Sequence, residues 1–88
     1  MKERVVFILG LKWFDKVNGN TYCRPVVFTD RGNALSEGYR YGYGNQYLEY
    51  AKYVCEINGV EYEKDSIGSV PHTDKWVSKK ELKDYRYY

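Results

Sequence analysis

Two hydrophobic periods meet within one short stretch of this chain. From Glu37 to Tyr43 the rings of Tyr39, Tyr41 and Tyr43 fall on every second position. From Tyr47 onward apolar residues recur at intervals of three and four, so an extended strand is predicted to pass into a helix at Gly44. Every other element is placed relative to this junction.

Upstream, residues 4–14 are rich in β-branched and aromatic side chains and predict a first strand. Val5, Phe7, Leu9, Leu11 and Trp13 are expected on one face, with Val6, Ile8, Gly10, Lys12 and Phe14 on the other. Asn18 and Gly19 then separate it from a second run, Thr21–Thr29, and predict a two-residue type I′ hairpin turn. Such a turn sets Val17 opposite Asn20 and Asp15 opposite Tyr22. Pro25 cannot donate to a ladder, so the second strand is expected at an edge or bulged near Pro25. After the turn cluster Asp30–Asn33, a third strand is expected from Ala34 to Tyr43.

The helix is predicted from Gln46 to Ile57, with Asn45 as its N-cap and Asn58–Gly59 as its stop. Tyr47, Leu48, Ala51, Val54 and Cys55 form its apolar stripe. Val60–Glu63 alternates as a short strand would, and Lys64–Thr73, broken by Gly68 and Pro71, reads as loop. Ser78 and Glu81 match a capping box that would start a short helix from Lys79 to about Tyr87, anchored by Trp76 and Leu82. The expected fold class is α+β: a three-stranded antiparallel sheet in β-β-β-α order, with one helix across a face. Residues 1–59 are the core, and residues 60–88 are an extension of the same single domain.

Composition refines this picture in three places. A chain of 88 residues makes one domain without an interdomain cleft, so function is expected on a surface. Aromatic residues reach 18%, with 11 Tyr, and tyrosine suits both core edges and wet binding surfaces. The net charge of +2 is divided into +3 over residues 1–44, −4 over 45–74 and +3 over 75–88. That segregation can steer an anionic partner, or it can simply draw the halves of the domain together. Cys23 and Cys55 read as small buried hydrophobes of a reducing compartment, and neither a secretory signal nor a membrane-spanning run is expected. A soluble cytoplasmic protein is expected.

Catalytic chemistry finds little support. His72, the one histidine, stands between Pro71 and Thr73 in a predicted loop, so a Cys–His nucleophile would have to be assembled by folding alone. The acidic Glu61, Glu63 and Asp65 read as solubilising, and two cysteines with one histidine lack zinc spacing. No catalytic residue, metal or cofactor is expected. Gly38, Gly42 and Gly44 precede a helix start that could receive an anion at Gly44 and Asn45, but they complete neither a dinucleotide fingerprint nor a P-loop. Steric relief is the expected role of these glycines.

The best binding candidate is the interleaved stretch Tyr39, Arg40, Tyr41 and Tyr43, joined by Lys12 and Arg24 if all share an uncovered sheet face. Phe14-Asp15-Lys16 with Asn18-Gly19-Asn20-Thr21-Tyr22, and Tyr41-Gly42-Tyr43-Gly44 followed by Tyr47, resemble small uncharacterised proteins encoded by bacteriophages and prophages. The resemblance covers roughly residues 5–57. It implies an accessory protein acting in a bacterial host cytosol and brings no catalytic residues with it. Two functions follow as expectations. The first is a non-enzymatic protein-interaction module that occupies a host component such as a defence factor, or assembles with itself. The alternative is a nucleic-acid or nucleotide-binding module that uses a basic Tyr/Arg sheet face.

Overall fold

A long hairpin carries the fold in this structure, a computed structural model that describes residues 3–42, 44, 46–62, 67 and 69–84. Its strands β1 (Val5–Asp15) and β2 (Asn20–Thr29) pair antiparallel from Val5↔Thr29 to Asp15↔Asn20. Near its start Val5 faces Thr29 while Phe7 faces Phe28, so β1 accommodates one extra residue, Val6. This bulge breaks the expected alternation. Val5 joins Ile8 in the same core cluster instead of sharing a face with Phe7 and Leu9.

The hairpin turn also departs from expectation. Asp15 pairs with Asn20 and Trp13 with Tyr22, which leaves Lys16–Gly19 as a four-residue loop. Gly19 has φ +69°, whereas no non-glycine residue among the described ones, Asn18 included, has positive φ, so the two-residue type I′ geometry is not formed. The Asp15 carboxylate explains the preference: it accepts hydrogen bonds from the amides of Val17 (3.0 Å) and Asn18 (3.3 Å) and from Asn18 Nδ2 (2.8 Å). Those bonds hold the Asp15 carboxyl below its ordinary pKa.

The sheet is mixed and five-stranded, not a three-stranded antiparallel meander. Beside β2 lie β3 (Ala34–Ser36) and β4 (Arg40–Tyr41), both antiparallel to it. On the outer side of β1 lies β5 (His72–Trp76), parallel to it from Ile8↔His72 to Lys12↔Trp76, within the stretch partly expected to be loop. The C-terminal extension therefore completes the sheet of the core. The expected third strand is broken at residues 37–39, because Val26 pairs with Ser36 but Cys23 with Arg40. Pro25 lies at this break, and Ser36 Oγ donates to its carbonyl (2.9 Å). β2 is thus an interior strand, with its proline placed where the outer ladder is already interrupted.

Each face receives one helix. On the first, α1 (Gln46–Ile57) buries Tyr47, Tyr50, Ala51, Val54 and Cys55 against Val5, Ile8, Cys23 and Val27. Tyr50 belongs to this buried set, although its polar end hid it from the apolar stripe; its hydroxyl donates to the Gly38 carbonyl. The helix ends in a Schellman motif: Val60 N–H reaches Cys55 O (2.9 Å) and Gly59 N–H reaches Glu56 O (3.3 Å), with Gly59 at φ +67°.

On the opposite face, α2 (Lys79–Asp84) buries Leu82 with Leu11 and Val26. Ser78 Oγ accepts from the Glu81 amide at 3.2 Å, as the capping box predicts. Trp76 is not an anchor of this helix. It stands on β5, 60% exposed, with Lys12 Nζ 5.0 Å from its ring centroid. In the Val60–Glu63 run, Glu61 forms an isolated parallel bridge to Arg4, while Glu63 lies outside the described residues, as does the expected end of α2 beyond Asp84. No helix among the described residues is long and apolar enough to cross a membrane.

Candidate functional site

The alternation of β4 divides the Tyr39-Arg40-Tyr41 stretch between the two faces of the sheet. Arg40 pairs with Cys23 and points to the α1 side, while Tyr41 pairs with Tyr22 and points to the α2 side. Tyr39, just before the strand, joins Tyr22 as well. One stretch thus serves two surfaces.

On the α2 side Tyr22 is the centre of an aromatic group. Its ring stacks on Trp13 at 5.7 Å and 21°, and it meets Tyr39 (5.7 Å, 90°) and Tyr41 (6.1 Å, 86°) in edge-to-face contact. Lys79 Nζ lies 5.6 Å from the Trp13 ring centroid. Trp13, Tyr22, Tyr39 and Lys79 enclose, with the Asp15–Asn18 turn, a recess of about 280 Å³. Tyr41 is 62% exposed at the edge of this group. The rings hold one another in place, so the surface is rigid without being buried.

The three candidate cations do not share that surface. Lys12 is buried on the α1 side, with Nζ 2.9 Å from Asp74 Oδ2. Arg24 lies beneath α2, donating from Nη1 to the carbonyls of Leu82 (2.9 Å) and Lys83 (2.8 Å) and from Nε to Ser36 Oγ (2.9 Å). Arg40 rests against two rings of α1, with Cζ 4.2 Å from the Tyr50 centroid and 4.6 Å from that of Tyr53. The expected basic sheet face is therefore resolved into three separate local contacts. Tyr43 and Asn45 lie outside the described residues, and Gly44, at φ +61°, forms the turn ahead of α1.

Nucleophiles and metal ligands are dispersed or shielded. Both cysteines are free and buried; burial raises the Cys23 thiol against the opposing pull of Lys12 and Arg40, and pushes Cys55 to about 11. His72 Nδ1 lies 2.8 Å from the Val70 carbonyl, which accepts its proton, and the ring packs edge-on to Tyr47 at 6.1 Å. Among the described residues no group of three or more His, Cys, Asp and Glu side chains is arranged to hold a metal ion.

Sequence reasoning did not single out Trp13, Tyr22 and Lys79. The signal for the first two was available as a cross-strand pair, but the assumed turn register set Asp15 opposite Tyr22 and hid it. Lys79 reaches Trp13 only because α2 docks on this face. No protein family, curated protein or solved structure matches this chain.

Proposed function

We propose that this chain is a small non-enzymatic interaction module of phage type that binds a host protein through the aromatic surface centred on Tyr22. The observation that carries this reading is the mutually braced group Trp13, Tyr22, Tyr39 and Tyr41, exposed at its edge while Lys12 and Arg24 are engaged elsewhere and Arg40 points to the other face. Rigid aromatic side chains give large contact area at low entropic cost, which is why they concentrate at the centres of protein interfaces. A nucleic-acid backbone would instead call for a row of available cations along the rings.

Lys79 beside Trp13 favours one competing reading, in which the rings stack the bases of a single strand. Capture from bacterial lysate, with and without nuclease, separates the two. A stoichiometric protein partner that survives nuclease and is lost in the Tyr39→Ala/Tyr41→Ala double variant is expected. Recovery of nucleic acid whose retention falls steeply with salt would replace this reading with the second, and capture unaffected by the double variant would remove the aromatic surface from consideration.

A further inference from the structure

On the opposite side of the sheet, Arg40 opens into a cleft of about 340 Å³ between β4 and the first turns of α1. Cys23 lines it from β2, Gln46 and Glu49 line it from the helix, and Tyr41 contributes from β4. This volume is at the small end of the range of ligand clefts, roughly 300–1,000 Å³, with room for one ring system and one charged group.

Three observations give the cleft a chemistry. Arg40 is held against the rings of Tyr50 and Tyr53, which lie 6.1 Å apart, so both rings face the guanidinium. Tyr50 is itself fixed by its hydroxyl bond to Gly38 O, so the support of Arg40 is braced from behind. Among the described residues no carboxylate lies within ion-pair distance of Arg40, and Glu49, the acid in the cleft, is held by Lys52 at 3.3 Å. Lys12 and Arg40 both pull the Cys23 thiol down against the larger effect of burial. A pre-positioned guanidinium with no carboxylate at ion-pair distance among the described residues suits a phosphate, which its planar fork can bind with two parallel hydrogen bonds. Tyrosine rings beside it suit a planar ring.

We infer that this cleft binds a small molecule that joins a planar ring to a phosphate, of about mononucleotide size, with the phosphate on Arg40 and the ring against Tyr53. The site is separate from the aromatic surface around Tyr22, and its ligand differs in kind from a protein partner.

Amide-resolved NMR titration of the full chain tests this with AMP, CMP and phenyl phosphate as probes and adenosine and inorganic phosphate as controls. Saturable shifts at Arg40, Gln46, Glu49 and Tyr53 are expected for at least one ring phosphate, with adenosine and inorganic phosphate each weaker by about tenfold or more. Arg40→Gln and Tyr53→Leu should each weaken binding by about tenfold, whereas Val17→Ala, in the exposed hairpin turn, should leave it unchanged. Absence of saturable shifts with all three probes up to about 10 mM would overturn the inference. So would either control binding as tightly as the ring phosphates, or both cleft variants binding as the unmodified chain does.

Discussion

The ring of Tyr47 lies directly over Gly10. A Cβ at Gly10 would stand 2.6 Å from the Cγ and Cδ2 atoms of that ring and 2.8 Å from Cδ1, closer than carbon atoms pack. The missing side chain on β1 is what lets α1 settle onto the sheet with Tyr47 only 2% exposed. Gly10→Ala is therefore expected to destabilise the fold by about 1–3 kcal/mol, the usual cost of overpacking. Tyr47→Leu removes part of the obstruction, so the double variant should cost less than the two single changes together. Urea unfolding of the four proteins measures this coupling, and strict additivity would show that the ring simply moves aside.

Lys12 and Asp74 join the C-terminal strand to the hairpin. The lysine is 7% exposed, with its ammonium 2.9 Å from the Asp74 carboxylate, whose own side chain is 45% exposed. Removing the acid leaves a buried charge without its partner, so Asp74→Ala should cost about 1–2 kcal/mol, below the full buried-pair penalty because Asp74 is half in water. Lys12→Met should cost less, since it removes the charge that needs compensation. Hydrogen exchange should show faster opening of β5 in Asp74→Ala, and equal losses for the two variants would contradict this account.

The contrast between α1 and β5 shows what the sequence makes legible. Gln46–Ile57 was readable at both ends because one face is buried and Gly59 stops it in a left-handed conformation. His72–Trp76 is an edge strand with little burial on either face, so no alternation marks it, and its pairing with β1 is a long-range event. The hairpin was readable as a hairpin, but its register depended on Asp15 capping the turn, a side-chain choice that the Asn18–Gly19 signal does not carry. In the binding stretch Tyr39, Arg40 and Tyr41 were identifiable by residue type alone. Their division between two faces follows from period two, but the partners on each face come from β1, α1 and α2.

Alkaline pH should unfold the protein in a defined window. The hydrogen bond from the Tyr62 hydroxyl to Glu56 (2.6 Å) favours the neutral phenol and, with lesser help from desolvation, raises it from 10.0 to about 12. Burial raises Cys55 from 9.0 to about 11, and raises Tyr47 and Tyr50 as well. Each group holds its proton more tightly when folded. The associated stability is complete below the unfolded pKa and is lost as pH rises through the folded one. The melting temperature should therefore begin to fall above about pH 9 and continue to fall toward pH 12. Glu56→Gln removes the charged acceptor and should return Tyr62 toward its ordinary value, read as an earlier rise of phenolate absorbance. An unchanged phenolate titration would remove the Glu56 bond as the cause.

Arg24 holds α2 on the sheet. At six residues, Lys79–Asp84 is too short to persist alone, so its helicity depends on docking. Two contacts supply it: Leu82, fully buried with Leu11 and Val26, and the Arg24 guanidinium, which takes the carbonyls of Leu82 and Lys83 at the negative end of the helix. Arg24→Met keeps an apolar stem over the sheet but frees both carbonyls, and should cost about 1–3 kcal/mol, concentrated in α2. Arg24→Lys should recover only part of this, because a single ammonium cannot reproduce a fork that also reaches Ser36. Leu82→Ala should cost more, about 2–5 kcal/mol, through the cavity it leaves. Because Lys79 of the same helix lies over Trp13, undocking should also loosen one wall of the aromatic recess. Arg24→Met is accordingly expected to abolish exchange protection in α2, to spare β1 and β2, and to change the near-ultraviolet circular dichroism of Trp13. Loss of protection spread evenly over the sheet would instead mean that Arg24 supports the whole fold and not one helix.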